Sequence, residues 1–131
     1  MRGGRVAKFG LWFALAICMC IFFADYAHRS AIRSVQQRRD ALETEFKNRL
    51  PAGTDRFHVF AILDEKGIRR SGYEEARGPL AASVLGAPAV IGAQVPVNTF
   101  SLTRWSIHFV FRFDDQGRYI NCTNKIEGTF Y

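Results

Sequence analysis

The chain contains one uncharged apolar run, Phe9 to Ala24 (FGLWFALAICMCIFFA), which constrains where every other part of the chain can lie. As a helix rising 1.5 Å per residue, the run covers roughly 24 Å, a little less than a hydrocarbon core of about 30 Å. Lys8 can snorkel at one end, and Tyr26 and Ala27 extend the other. We therefore expect a transmembrane segment, with the whole polar chain after it on one side of a membrane.

A signal anchor that stays in place is favoured over three other interpretations of this run. A cleaved signal peptide needs small residues at −3 and −1, and Ala27 at −1 would put Asp25 at −3. A lipoprotein needs a small residue before its cysteine, whereas large residues precede Cys18 and Cys20. The start of the run also resembles the processing site of type IV pilins, but their fifth mature position is a glutamate and here it is Leu15.

Flanking charge favours a cytoplasmic amino terminus, because Lys8 adjoins the run whereas Asp25 is the first charge beyond it. We expect a single-pass protein of the bacterial inner membrane with four parts. These are a basic cytoplasmic tail (1–8), a transmembrane signal anchor (9–27), an amphipathic stalk helix (28–50) and a small α+β periplasmic domain (51–131).

Net charge and cysteine content argue against nucleic-acid binding and against an internal disulfide. Of the net charge of +6, the tail contributes +3 through Arg2, Arg5 and Lys8, so residues 25–131 are only mildly basic. Such a balance gives little support to nucleic-acid binding. Cys122 is the one cysteine after the anchor, so no disulfide can form within the exported part.

Apolar residues recur at helical spacing after the anchor: Ile32, Val35, Leu42, Phe46 and Leu50. Gly and Pro are absent from Leu11 to Leu50, so we expect the anchor helix to continue into this one as a rod of roughly 60 Å. The narrow apolar stripe leaves two interpretations, a homodimeric coiled coil and a stalk that packs once against its own domain. We favour the second.

A short helix is predicted after the break at Pro51-Ala52-Gly53. Thr54 is the expected N-cap, Asp55 would favour the positive end of the helix dipole, and Lys66-Gly67 would end the helix. The expected apolar face consists of Phe57, Phe60, Ala61 and Leu63. Residues 68–77 then suit a short edge strand with a turn at Gly72.

The segment from Gly78 to Thr103 contains no charged residue. Its length raises the alternative of a second membrane span at 80–97, but Pro88, Gln94 and Pro96 argue against it. We expect a loop leading into a strand near Ala89–Val97. The small domain has little interior, so we also expect part of the segment to form an exposed partner-binding surface. The candidate residues for that surface are Val84, Leu85, Val90 and Ile91. In the alternative, the segment supplies the central strand and is wholly buried.

The clearest signal outside the anchor is a carboxy-terminal β-hairpin. From Trp105 to Phe113 the odd positions are all large and apolar, which predicts a strand with one buried face. Asp114–Gly117 would form the turn, and a second strand would run from Arg118 to about Glu127.

Two registers of this hairpin compete. A three-residue loop suits the turn chemistry but sets polar residues opposite the phenylalanines, namely Asn121, Thr123 and Lys125. A four-residue loop pairs Ile120 with Phe111, Cys122 with Phe109, Ile126 with Trp105 and Arg104 with Glu127. We prefer the four-residue loop because a slip of one residue would reverse a whole face. That choice leaves Asn124 on the core face without an explanation.

The segment LPAGTDRFHVFAILDEKGI, followed by the late FRFDDQGRYI, resembles small envelope domains of the β-lactamase-inhibitor-protein-like and outer-membrane assembly lipoprotein type. The resemblance covers about 80 residues, and the chain departs from the family by lacking a lipobox and by its uncharged middle segment. It implies helices layered on an antiparallel sheet and a protein-binding role.

No catalytic, metal-binding or cofactor-binding pattern is found in the sequence. His28, His58 and His108 have no cysteine or carboxylate at metal-ligand spacing. We therefore expect a non-catalytic module without a cofactor, anchored in the lipid bilayer and binding another envelope protein. A small membrane-tethered inhibitor or immunity-like protein is the alternative.

Overall fold

The computed structural model describes residues 3–76 and 86–130. In these residues a long helix, α1 (Gly3–Arg49), and a short helix, α2 (Arg56–Glu65), precede a five-stranded antiparallel sheet. The strands are β1 (Arg69–Arg70), β2 (Glu74–Glu75), β3 (Ala89–Val97), β4 (Thr103–Phe113) and β5 (Tyr119–Phe130). The predicted α+β class is thus confirmed in outline.

Helix α1 is a single helix of 47 residues that contains both the apolar run and the stalk. The predicted continuity between the two is confirmed, and the helix is about 70 Å long. Among the described residues, α1 alone is long and apolar enough to cross a membrane, with a mean hydropathy of 2.2 in its most apolar window. None of that window is buried against the domain.

The second half of α1 packs on the sheet and supplies much of the core. Its buried side chains are Ala31, Val35, Leu42 and Phe46, and Leu50 is buried just after the helix ends. The ring of Phe46 contacts those of Phe109 and Phe111 edge-on, each at 5.2 Å between centroids. The stalk therefore packs against its own domain, as expected, and the stripe that a coiled coil would use is buried within one chain. Ile32, included in the predicted stripe, is only half-buried.

The break between the two helices is confirmed, but the predicted N-cap is wrong by one residue. Gly53 adopts a φ of 91°, and its N–H donates to the carbonyl of Tyr119 at 2.8 Å. Asp55 caps α2, because its carboxylate accepts the N–H of Phe57 at 2.8 Å. The hydroxyl of Thr54 instead donates to the carbonyl of Pro51 and is used within the turn.

The buried face of α2 differs from the predicted one. Val59, Ile62 and Leu63 are buried, whereas Ala61 is exposed and Phe57 is 64% exposed. Phe57 lies on the surface, with the guanidinium of Arg56 4.9 Å from its ring centroid. The predicted end of the helix is confirmed, with Lys66 as C-cap and Gly67 at a φ of 64°.

The sheet has the order β1-β3-β4-β5, and β2 pairs with β3 beside β1. Strand β3 spans the residues predicted for it, so the alternative of a second membrane span is wrong for Ala89–Val97. The expected edge strand at 68–77 is divided into β1 and β2, which both pair with β3. The odd residues of β3 and β4 pack against the helices, except that Trp105 and Val97 are half-buried.

The β4–β5 hairpin combines features of both predicted registers. The Asp114 N–H donates to the Arg118 carbonyl at 2.9 Å, and Gly117 has a φ of 74°, as in a three-residue loop with a glycine. Phe113 then pairs with Tyr119, but Arg112 pairs with Asn121. Ile120 is therefore an extra residue, a β-bulge that returns β5 to the phase required by the apolar pattern.

The predicted four-residue loop is consequently wrong, and its pairs are displaced by two residues. Beyond the bulge, Phe111 pairs with Cys122, Phe109 with Asn124, Ile107 with Ile126, Ser106 with Glu127 and Arg104 with Thr129. Cys122 and Ile126 still pack against the core as expected, whereas Ile120 is exposed at the bulge and Phe130 is exposed at the end of the strand.

Candidate functional site

The helices cover one face of the sheet, and the other face is uncovered in the part of the chain that the structure describes. This open face consists of Arg69, the even-numbered residues of β3 and β4, and the odd-numbered residues of β5 from Asn121 to Thr129. Most of these side chains are exposed or half-buried. The open face is thus a broad, accessible surface of polar and charged groups.

A row of four polar residues crosses the centre of the open face. Arg69 is paired with Gln94, Gln94 with His108, and His108 with Lys125. At a strand spacing of about 4.8 Å, the row spans roughly 14 Å. Three of the four side chains carry or can carry positive charge, and all are placed by the rigid register of the sheet.

Glu127 lies beside this row and is held by two of its members. The Nζ of Lys125 lies 2.7 Å from Glu127 Oε1, and the Nε2 of His108 lies 3.1 Å from Oε2. The ammonium of Lys125, followed by the charge on His108, lowers the pKa of Glu127. These contacts replace the predicted pairing of Glu127 with Arg104.

The remaining charges make the open face basic. Arg112 Nη1 contacts Thr123 Oγ1 at 2.9 Å and Asn121 Oδ1 at 3.4 Å, so the guanidinium lies against β5. Arg104 and Arg112 add to the cations of the row, whereas Glu127 and Glu74 are the carboxylates that the described residues place on this face. A surface of this composition suits an acidic partner.

The histidines and cysteines lie in separate places. His28 lies beside Trp105, with ring centroids 5.9 Å apart, while His58 is exposed on α2 and His108 is on the open face. Within residues 3–76 and 86–130, no three His, Cys, Asp or Glu side chains could hold one metal ion. Burial raises the pKa of the Cys122 thiol to about 12, which keeps it neutral and weakly nucleophilic.

The predicted partner surface is not brought together as expected. Val84 and Leu85 belong to residues 77–85, which lie outside the described part of the chain. Val90 and Ile91 are only 7% and 0% exposed, so these two candidates are buried, and the prediction that some of the four residues are exposed now depends on Val84 and Leu85. Ile91 pairs with Phe111 in the core, and Val90 lies between Glu74 of β2 and Arg112 of β4.

A second surface lies where α1 leaves the apolar run. The β3–β4 loop and the end of β5 present Phe100, Leu102 and Phe130, which are 82%, 80% and 78% exposed. We call these three residues the apolar tip. The ring of Phe100 meets that of Phe23 on α1 edge-on, at 6.3 Å between centroids. The tip therefore lies at the level where the apolar run ends.

Trp105 fixes the sheet against α1 just above this tip. Its ring lies beside His28, and a Cβ added to Gly128 would come within 2.9 Å of it. Glycine at position 128 thus allows the indole to lie flat across β5. The indole Nε1 is buried and has no hydrogen-bond partner among the described residues.

Comparisons with known proteins identify no relative. No protein family, no curated protein and no solved structure matches this chain.

Sequence reasoning missed both surfaces for different reasons. The alternation in β4 showed which of its residues point away from the core, but the row with Arg69, Gln94 and Lys125 depends on registers that a sequence does not give. The apolar tip did leave a signal, because Phe100 and Leu102 interrupt a polar loop that should otherwise be solvated.

Proposed function

We propose that the chain is a single-pass, non-catalytic binding module of the bacterial envelope. The apolar part of α1 anchors it in the inner membrane, with the amino terminus in the cytoplasm and the α+β domain in the periplasm. Retention of the anchor is supported by residues 23–28, which remain helical and contact the domain through Phe23–Phe100 and His28–Trp105.

The observation that carries this proposal is the basic open face of the sheet. Its row Arg69–Gln94–His108–Lys125 presents side chains on a rigid backbone, with their positions set by strand pairing. A backbone that is already ordered needs little rearrangement on association, and charged side chains steer an oppositely charged partner. We infer that the open face binds an acidic surface of another envelope protein.

The proposal is tested by crosslinking in cells. A photoreactive amino acid at Thr123 on the open face should give a crosslink to one partner protein. The matched control is Arg38, which is exposed on the solvent side of α1 and should give none. A crosslink from position 38 alone, or from neither position, would contradict the assignment of the open face.

Charge reversal provides a second readout. Arg69→Glu and Lys125→Glu should abolish the Thr123 crosslink while leaving the unfolding curve of the domain nearly unchanged, because both side chains are exposed. Arg38→Glu should preserve the crosslink. Recovery of a single soluble enzyme or toxin in place of a membrane complex would favour the alternative of a tethered inhibitor.

A further inference from the structure

We propose that the apolar tip inserts into the surface of the lipid bilayer and provides a second membrane attachment beside the helix. The tip consists of the exposed side chains of Phe100, Leu102 and Phe130. The inference rests on the retained span of the proposed function, but it does not involve the open face or its partner.

The depth of the tip is given by its contact with α1. Phe100 meets Phe23, which belongs to the apolar run itself. Beyond Phe23, the next charges on α1 are Asp25 and Arg29, which pair with each other at 3.0 Å. The β3–β4 loop therefore reaches back along the helix to a position below the first charged groups, where the acyl chains begin.

The loop that carries Phe100 and Leu102 has the composition that insertion requires. Residues 98–103 (NTFSLT) are uncharged, and the nearest charged residue in the sequence is Arg104. The loop thus brings no ionised side chain towards the hydrocarbon. Large apolar side chains at the end of a loop, with their charges kept above it, are typical of interfacial segments.

The hydroxyl of Ser101 is bonded within the loop and its junction with β4. Ser101 Oγ donates to the Thr103 carbonyl at 2.9 Å and accepts the Thr103 N–H at 3.2 Å. It also lies 3.2 Å from Thr99 Oγ1. Polar groups that already have partners lose less when water is removed. These bonds lower the cost of placing the loop among lipid headgroups.

The groove between the tip and α1 is also apolar. Phe23, Ala24, Ala27 and His28 line it on the helix side, opposite Phe100 and Leu102. A lipid is the occupant favoured here because the same side of α1 is already at bilayer depth at Phe23. A helix of a second protein or a second copy of this chain would have to displace that lipid.

The full-length chain tests the insertion in vesicles of phosphatidylethanolamine and phosphatidylglycerol. In a background of Cys18→Ala, Cys20→Ala and Cys122→Ala, Phe100→Cys carries a fluorescent probe. Spin-labelled lipids should quench this probe strongly, and aqueous iodide should quench it weakly. Phe57→Cys is the matched control, since it also replaces an exposed phenylalanine and should show the opposite pattern.

Two results would overturn the insertion. The first is that iodide quenches the probe at position 100 as strongly as it quenches the probe at position 57. The second is that neither iodide nor the spin-labelled lipids quench the probe at position 100, which would indicate that a protein covers it. Leu102→Cys repeats the measurement if the probe at position 100 disturbs folding. Extraction of the membranes with alkaline carbonate tests the transmembrane span separately. If carbonate releases the chain from the membrane, both the anchor and the insertion are refuted. If the chain is retained but the probe is exposed to water, only the insertion is refuted.

Discussion

Asn124 of β5 donates a hydrogen bond from Nδ2 to Oε2 of Glu43 on α1, at 3.3 Å, and so links the last strand to the stalk helix. This contact explains why a polar residue stands among the core-facing positions of β5. The carboxylate of Glu43 also forms a salt bridge with Lys47. The hydrogen bond from Lys47 is the main cause that lowers the pKa of Glu43, and the hydrogen bond from Asn124 lowers it further.

Asn124→Ala should lower the free energy of unfolding by about 1 kcal/mol, since one hydrogen bond to a charged partner is lost at a partly accessible site. Asn121→Ala, on the open face of the same strand, should have a smaller effect. Denaturation of the full-length chain in mild detergent measures both. A double-mutant cycle with Glu43→Ala, which removes the acceptor, should show coupling, and additive effects would contradict the contact.

Phe109→Ala should destabilise the domain by about 3 kcal/mol or more, because the ring is fully buried against Phe46 and Phe111. His108→Ala, the adjacent residue on the open face, should change the free energy of unfolding by about 0.5 kcal/mol or less. The same denaturation experiment compares them. A histidine variant less stable than the phenylalanine variant would invert the orientation assigned to β4.

Deletion of Ile120 should be tolerated, because it removes the bulged residue and leaves every pair beyond it in the same phase. Deletion of Val110 should unfold the domain, since it shifts half of a central strand against both of its neighbours. Resistance to limited proteolysis distinguishes the two proteins. Equal sensitivity of both variants would show that the bulge is needed for folding.

The stability of the domain should fall in alkaline solution partly through Cys122. Burial raises the folded pKa from 9.0 to about 12, so the neutral thiol stabilises the folded state below about pH 9. That contribution is lost as the pH rises from 9 towards 12. Unfolding curves at successive pH values should show a shallower decline for Cys122→Ala than for the original chain, and parallel declines would contradict the raised pKa.

Alkaline phosphatase fused after Tyr131 should be active, because the proposed topology places the domain in the periplasm. The expectation depends on Lys8 adjoining the apolar run while Asp25 is the first charge beyond it. An inactive phosphatase, together with an active cytoplasmic reporter at the same position, would reverse the topology.

The features that the sequence predicted well depend on local periodicity. The continuous α1, the strand Ala89–Val97 and the buried odd positions of β4 all follow from patterns of 3.6 or 2 residues. The wrong predictions involved choices between neighbouring residues that distant contacts decide. Asp55 is the N-cap in place of Thr54, because the Thr54 hydroxyl donates to the Pro51 carbonyl. The hairpin register differs from the predicted one because of a bulge that has no sequence signature.

The candidate surfaces were harder to predict because they depend on burial in three dimensions. Val90 and Ile91 have the composition of a contact surface, yet the small domain does cover them. The row on the open face joins residues far apart in the chain, and only the strand pairing aligns them.

The pairing of Phe46 with Phe109 and Phe111 also determines when the domain can fold during biosynthesis. The ribosome completes α1 at Arg49 and does not reach β4, which covers it, until Thr103. Until β4 has been made, Phe46 lacks the two rings against which it packs, and incomplete chains with exposed apolar side chains are prone to aggregation and chaperone binding. Nascent chains that stop before β4 should therefore expose Leu42 and Phe46 to chaperones.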